Sequence, residues 1–497
     1  MKTNSLDFDA QALREKILDL AMRGKLVKQD PNDEPASVLL EKIKAEKAEL
    51  VKEGKIKKSK ALPEITDEEK PFDIPDSWEW VRLGDIGAWA AGATPSRKHP
   101  EYYGGTIPWL KTGDLNDGIV NETSEKITEL GVKNSSVKVN EPGNVLIAMY
   151  GATIGKLGIV GNQELVTNQA CCGCSLFDGV HNWYLFYYLL ASRKRLIDLG
   201  SGGAQPNISK NKIEKFTFPL PPLEEQSRIA AKIAQLFALL RKVESSTQQY
   251  AELQTLLKSK VLDLAMRGKL VKQDPNDEPA SVLLEKIKAE KEQLIKEKKI
   301  KKSKPLPPIA DDEKPFEIPD SWEWVRLGEI LALEKGSIRR GPFGSSLKKA
   351  YFVPKSHNTY KVYEQGNAIN HTIDYGSYYI SAQKYDELKS FAIRPGDIII
   401  SGAGTIGKTY ILPPESPEGV INQALIRMRL NNKLITNDFF LLLFKQKVSL
   451  LNKKAKGTAI KNMFSIAHMK EDIVWALPPI SEQNRIVKQL QEISKMM

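Results

Sequence analysis

The sequence predicts an α+β protein: two mixed α/β domains joined by long antiparallel coiled-coil helices, with an internal pseudo-twofold and a circular arrangement of the chain. Three observations carry this expectation. Residues 18–47, LDLAMRGKLVKQDPNDEPASVLLEKIKAEK, recur unchanged at 262–291. A heptad-spaced apolar stripe follows Pro221 and Pro222. The two ends of the chain match the two halves of that stripe.

The repeat at an offset of 244 runs on through KEGKIKKSK (52–60) against KEKKIKKSK (296–304), and PFDIPDSWEWVRLGDI (71–86) against PFEIPDSWEWVRLGEI (315–330). A second pair, PPLEEQSRI (221–229) and PPISEQNRI (478–486), sits at an offset of 257. Between these blocks lie segments 87–218 and 331–475, which agree only in fragments. EPGNVLIAMYGATIGK (141–156) resembles RPGDIIISGAGTIGK (394–408), and VTNQA (166–170) resembles VINQA (420–424). A repeated framework with divergent inserts is the pattern of one scaffold carrying two different readers.

Taken in order, residues 1–75 read as an N-terminal framework of half-helix, amphipathic helix and basic tether. Residues 76–220 form the first variable domain. Residues 221–318 repeat the framework around a long helix, 319–477 form the second variable domain, and 478–497 are a C-terminal half-helix. The long helix is expected from about 223 to 266, started after Pro222 and stopped at Gly268. Its apolar positions are Ile229, Ile233, Leu236, Leu240, Val243, Leu257, Val261 and Leu264. Leu13, Ile17 and Leu20 match its second half, and Ile486, Leu490 and Ile493 match its first. Tail and head laid end to end therefore supply a second copy of the rod, since so long an apolar stripe needs a helical partner. The alternative is two unrelated helical linkers in series.

Composition limits the functional classes. The 497 residues are 41% hydrophobic and 27% charged, the balance of a folded domain protein. No run approaches the ~20 apolar residues of a membrane helix, and MKTNSLDFDA lacks a signal core, so a cytoplasmic location is expected. The net charge of +11 points towards a polyanionic partner. The lysines of the tethers suit phosphates, or simply a solvated linker.

GAGTIGKT (402–409) satisfies the phosphate-loop pattern, but Pro413 and Pro414 bar the helix that such a loop requires. The sister copy, GATIGKL, is one residue short and ends on Leu157. A glycine turn between two strands is expected instead, with Lys156 and Lys408 facing a phosphate backbone. Cys171, Cys172 and Cys174 are read as buried thiols on a strand, because adjacent cysteines point to opposite faces. His99, His181, His357, His371 and His468 match in neither copy. No nucleophile–base constellation, methyltransferase Asn-Pro-Pro-aromatic motif or metal set recurs, so no catalytic residue, metal or cofactor is assigned to this chain.

With these residues in view, the exits PLPPLEEQSRIA and ALPPISEQNRIV, together with LDLAMRGKLVKQDPNDEPAS, resemble the specificity subunit of type I restriction–modification enzymes, over nearly the whole chain. The resemblance implies two target recognition domains, each reading half of a bipartite asymmetric site on double-stranded DNA. It implies helices that set the spacer and dock two methyltransferase subunits. Restriction and translocase subunits would join through the assembled complex, and those partners would use S-adenosylmethionine, ATP and magnesium. Candidate DNA contacts, chosen by position and chemistry, are Ser96, Arg97, Lys98, Lys111, Thr112, Lys156, Gln205, Asn207 and Lys210 in the first domain. In the second they are Arg339, Arg340, Ser345, Ser346, Lys348, Lys408, Lys456, Thr458, Lys461 and Asn462. The competing readings are an RNA-binding or scaffold protein, and a nucleotide hydrolase built on residues 402–409.

Overall fold

Residues repeated at an offset of 244 adopt the same local structure twice. In the computed structural model, which describes residues 8–58, 60–200, 207–302, 304–454 and 465–496, the segment ASVLLEKIKAEK opens a helix at Ala36–Lys52 and again at Ala280–Lys296. Pro35 and Pro279 stand at the two N-caps, where a missing N–H costs nothing. The strands Glu79–Arg82 and Glu323–Arg326 follow. Each pairs antiparallel with the strand that leads to a Pro-Pro exit, Thr217–Leu220 in the first case and Val474–Leu477 in the second. A two-stranded neck thus closes each variable segment, bringing its entry and exit together.

The chain forms two compact units, Met1–Gln249 and Tyr250–Met497. In the first, a five-stranded sheet has the spatial order Gly87–Ala91, Cys171–Leu176, Val145–Ala148, Leu157–Val160, Gly118–Val120. A four-stranded sheet runs Glu125–Ile127, Tyr103–Leu110, Leu165–Thr167, Val139–Asn140. Val145–Ala148 reads as an unbroken apolar run because both of its faces are covered. Val145 and Ile147 join Cys172 and Cys174 in the core that includes helix Asn182–Ala191, while Leu146 and Ala148 join Cys171 on the other side. The neighbouring cysteines do face opposite ways, and burial pushes the Cys172 thiol up to about 12.

In the second unit a four-stranded sheet has the order Ile338–Arg340, Leu425–Met428, Ile398–Ser401, Thr409–Ile411. A three-stranded one has the order Tyr379–Ser381, Thr359–Tyr363, Gly419–Ile421. The run Ile398–Ile400 again divides its side chains between two cores. GAGTIGKT lies in the hairpin between antiparallel strands Ile398–Ser401 and Thr409–Ile411, so a strand follows where a nucleotide loop needs a helix. That removes the structural basis for nucleotide hydrolysis here.

One helix of 44 residues, Leu223–Met266, passes from the first unit into the second; at about 1.5 Å per residue it is ~66 Å long. In the first unit Ile229, Ala230, Ile233, Phe237 and Leu240 are buried with Leu18, Ala21 and Met22 of helix Ala10–Met22. Arg14 reaches Glu244, while Arg228 forks onto Asp33 beyond the other end of the short helix, so the two helices run in opposite directions. In the second unit the helix Ile480–Met496 starts beside the end of the long helix, where Gln273 bonds Glu482 and Arg485 forks onto Asp277. Ile486 is buried there, with Leu262, Val487 and Leu490 packed on the core that holds Ala265 and Met266.

The buried face differs from the heptad register at several positions. Leu13 is 42% exposed, Val243 43% and Leu257 50%. Ile17, Leu20, Leu236, Val261, Leu264 and Ile493 are half-buried. The thirteen-residue helix packs against helix Asn182–Ala191 as well as the long helix. Its buried side is therefore the 3.6-period face Leu18–Ala21–Met22, rather than a 3.5-period seam.

The exit motif explains itself at the necks. Glu225 is buried, accepting from Trp78 Nε1 at 2.9 Å and from Gln29; Glu482 accepts from Trp322 Nε1 at 2.9 Å and from Gln273 at 2.6 Å. Burial raises both carboxyls above the usual range. Gln226 takes the His181 N–H and donates to the carbonyls of Gly179 and Pro221; Gln483 does the same with Thr436, Leu434 and Pro478. At the end of each neck strand a buried arginine, Arg82 or Arg326, forks onto Glu69 or Glu313.

Candidate nucleic-acid interface

Asn168, Gln169 and Ala170 turn the chain between the strands Leu165–Thr167 and Cys171–Leu176. Asn168 closes the turn: its Oδ1 accepts from Ala170 N at 3.2 Å and its carbonyl from Cys171 N at 3.1 Å. Sequence-remote segments are tied to this point through the backbone. Gly92 N donates to Cys171 O at 3.1 Å and Ala93 N to Thr167 O at 3.0 Å, which brings in the loop with Ser96, Arg97 and Lys98. Asn168 N donates to Leu110 O at 2.9 Å, next to Lys111 and Thr112. Met149 N donates to Ala170 O at 2.7 Å, anchoring the glycine loop that ends at Lys156. Ile208 N donates to Met149 O at 2.8 Å, bringing in Asn207, which bridges Tyr150.

The second unit repeats the hub. Ala424 N donates to Asn422 Oδ1 at 3.0 Å and Leu425 N to Asn422 O at 3.1 Å. Gly341 N reaches Leu425 O at 2.9 Å, Asn422 N reaches Tyr363 O at 2.9 Å, and Gly402 N reaches Ala424 O at 2.7 Å. The loops carrying Arg339 to Lys348 and ending at Lys408 are thus held to the same turn. Glycine is required where these loops cross it: a Cβ on Gly92 would fall 2.0 Å from the Thr167 carbonyl, and one on Gly341 would fall 1.9 Å from that of Asn422.

The candidate side chains divide by what they already touch. Arg97 forks onto Glu125 at 2.8 and 2.9 Å and lies 4.1 Å from the Tyr103 ring centre; Lys111 Nζ is 3.1 Å from the same carboxylate. Arg97 first, then Lys111, hold Glu125 down to about 2. Lys210 pairs with Glu214 at 3.0 Å, Thr112 starts a one-turn helix, and Lys156 is half-buried. Ser96, Lys98 and Asn207 are exposed. In the second unit Arg339 stacks on Phe391 and Arg340 Nε donates to Gln423 O at 3.4 Å. Ser345, Ser346, Lys348 and Lys408 are exposed. Gln205, Lys456, Thr458, Lys461 and Asn462 lie outside the described residues.

The structure adds Gln169 and Gln423, at the centre of each hub. Gln169 Oε1 accepts from Thr94 Oγ1. The recurrence of VTNQA as VINQA is their signal, but a repeat alone does not say that three other segments meet at each turn. From Lys335 to Tyr363 the chain carries seven lysines and arginines and no acidic residue, so the loops around the second hub are strongly cationic.

Each turn thus gathers cationic and amide side chains from segments distant in sequence. The type I restriction modification DNA specificity domain matches residues 75–254 and 319–497. The specificity subunits of the type I restriction enzymes EcoAI and EcoEI of Escherichia coli are 33% and 32% identical to this chain, each over 98% of its length and over 89% and 90% of theirs. The HsdS subunit from Thermoanaerobacter tengcongensis aligns in three dimensions with a TM-score of 0.49 at 20% identity, covering 86% of this chain and 91% of that one. The chain belongs to the family of type I restriction–modification DNA specificity subunits.

Proposed function

We propose that this chain chooses the DNA site on which a type I restriction–modification complex acts. Residues 76–220 and 319–477 each read one half of a bipartite, asymmetric site on double-stranded DNA. The long helix and its partners set the spacer and dock two methyltransferase subunits; restriction and translocase subunits join through the assembly, in the cytoplasm. S-adenosylmethionine, ATP and magnesium belong to those partners. The observation that carries the reading is the repeated hub: Asn168–Ala170 and Asn422–Ala424 gather corresponding loops by corresponding backbone bonds, while the loop side chains differ. One backbone plan with two side-chain sets suits two readers of unlike half-sites. Lysines such as Lys98, Lys348 and Lys408 would supply the sequence-independent phosphate contacts, and the amides Gln169 and Gln423 the contacts at base edges.

The test is adenine-methylation mapping of a genome expressing the methyltransferase subunit with and without this chain. Methylation at a bipartite motif is expected only when both are present. The same motif methylated by the partner alone overturns the proposal.

A further inference from the structure

Gly92 and Gly341 hold the same place in the two hubs, each donating its N–H to the residue just after the turn. Two positions further on the copies part. The first has Thr94, whose hydroxyl is bonded to Gln169. The second has Phe343, which is 88% exposed.

The loop that carries this ring is firmly built. Pro342 before it is buried, and Leu347 after it packs on the core around Val362 and Ile380. Ser346 N donates to Phe343 O at 2.8 Å. The missing side chain of Gly344 leaves room for Gln423, since a Cβ there would lie 2.8 Å from Gln423 Oε1. An aromatic ring is therefore presented on a braced turn, beside the hub amide, within a stretch that is basic and free of acidic residues. Each part matches a different feature of a duplex: cations for phosphates, an amide for a base edge, an aromatic face for a base plane.

We infer that Phe343 is an apolar wedge that enters the base stack of the DNA at one step of the half-site read by the second unit, opening that step as the loop docks. The first unit, with Thr94 bonded back onto its own hub, reads its half-site without such a wedge. This rests on the DNA-specificity reading above and adds an asymmetric deformation to it.

The experiment uses the full chain assembled with its methyltransferase subunits and duplexes carrying the mapped site, with single 2-aminopurine substitutions stepped through both half-sites. Fluorescence on binding should rise at one step, in one half-site only. Phe343→Ala should abolish that rise and weaken binding roughly tenfold to a hundredfold. Phe343→Trp should keep both, and an abasic site at that step should restore much of the affinity lost by Phe343→Ala. Unchanged affinity and fluorescence with Phe343→Ala overturns the wedge, as does a variant that loses methyltransferase assembly but, once assembled, binds DNA normally. A wild-type complex with no preference for the mapped duplex over a scrambled one would instead sink the underlying DNA-specificity reading.

Discussion

Trp78 Nε1 donates to Glu225 Oε2 at 2.9 Å, across 147 residues of sequence and inside the neck of the first unit. The bond joins the entry of the variable segment to its exit helix, and both groups are buried. Glu225→Ala leaves the indole N–H without its acceptor and removes one of the two acceptors of the Gln29 amide, a loss of about 1–3 kcal/mol for an orphaned buried donor. A fall in melting temperature is expected. Glu482→Ala, which orphans Trp322, should cause a similar fall; a silent Glu482→Ala in thermal denaturation would show that the two necks are not energetically equivalent.

The neck arginines give the fold an acid limit. Arg82, buried, holds Glu69 down to about 2 from an ordinary 4.5, and Arg326 lowers Glu313 in the same way. Carboxyls depressed in the folded state contribute stability that is full above 4.5 and is lost as pH falls towards 2. Glu225 and Glu482, raised by burial, have the opposite sign: their contribution is present at low pH and is lost as pH rises through their raised values. The double variant Glu69→Gln, Glu313→Gln should start less stable at pH 7 and lose less than wild type between pH 4.5 and 2. Parallel melting-temperature curves for the two proteins would contradict this.

Docking of the N-terminal helix should depend on apolar packing far more than on its ion pair. Leu18→Ala removes a buried side chain, which typically costs about 2–5 kcal/mol. Arg14→Ala breaks an exposed pair with Glu244 and should cost far less than Leu18→Ala. Leu13→Ala, at an exposed position, should be nearly neutral. Chemical denaturation of the three variants checks the ranking, and a Leu13→Ala loss equal to that of Leu18→Ala would restore the heptad register.

Side chains at the hubs should separate into readers and phosphate contacts. Gln169→Ala or Gln423→Ala should cost about 1–3 kcal/mol on the correct site and relax preference in one half-site each. Lys408→Ala should weaken binding evenly across sequences and reduce the salt slope by about 1. Arg97→Ala should act through stability instead, since it breaks the fork onto Glu125, leaving only Lys111 there, and uncovers Tyr103. Titrations of duplex variants at several salt concentrations distinguish these behaviours.

Much of this molecule was legible because its sequence is written twice. The helices at Ala36 and Ala280 follow from one repeated block, and the long helix from its apolar stripe and flanking Pro222 and Gly268. The glycine hairpin followed from two prolines placed where a helix was needed. Two things escaped. The buried face of the N-terminal helix is set by two partners at once, which a one-dimensional periodicity cannot register. The hub was hidden because its meaning lies in backbone bonds to Gly92, Leu110 and Met149, positions distant in sequence and linked by no side-chain pattern. Arg97 and Lys111 had the right chemistry for phosphates, but Glu125, far along the chain, already engages both.

Gly92 and Gly341 are pinned against carbonyl oxygens, yet two residues later the chain tolerates a threonine in one copy and a fully presented phenylalanine in the other. Constraint and freedom therefore alternate within a single loop. Mutation can exchange the tip without disturbing the anchor, so novelty in what the protein recognises can accumulate at a few outward positions while the backbone that aims them is inherited intact.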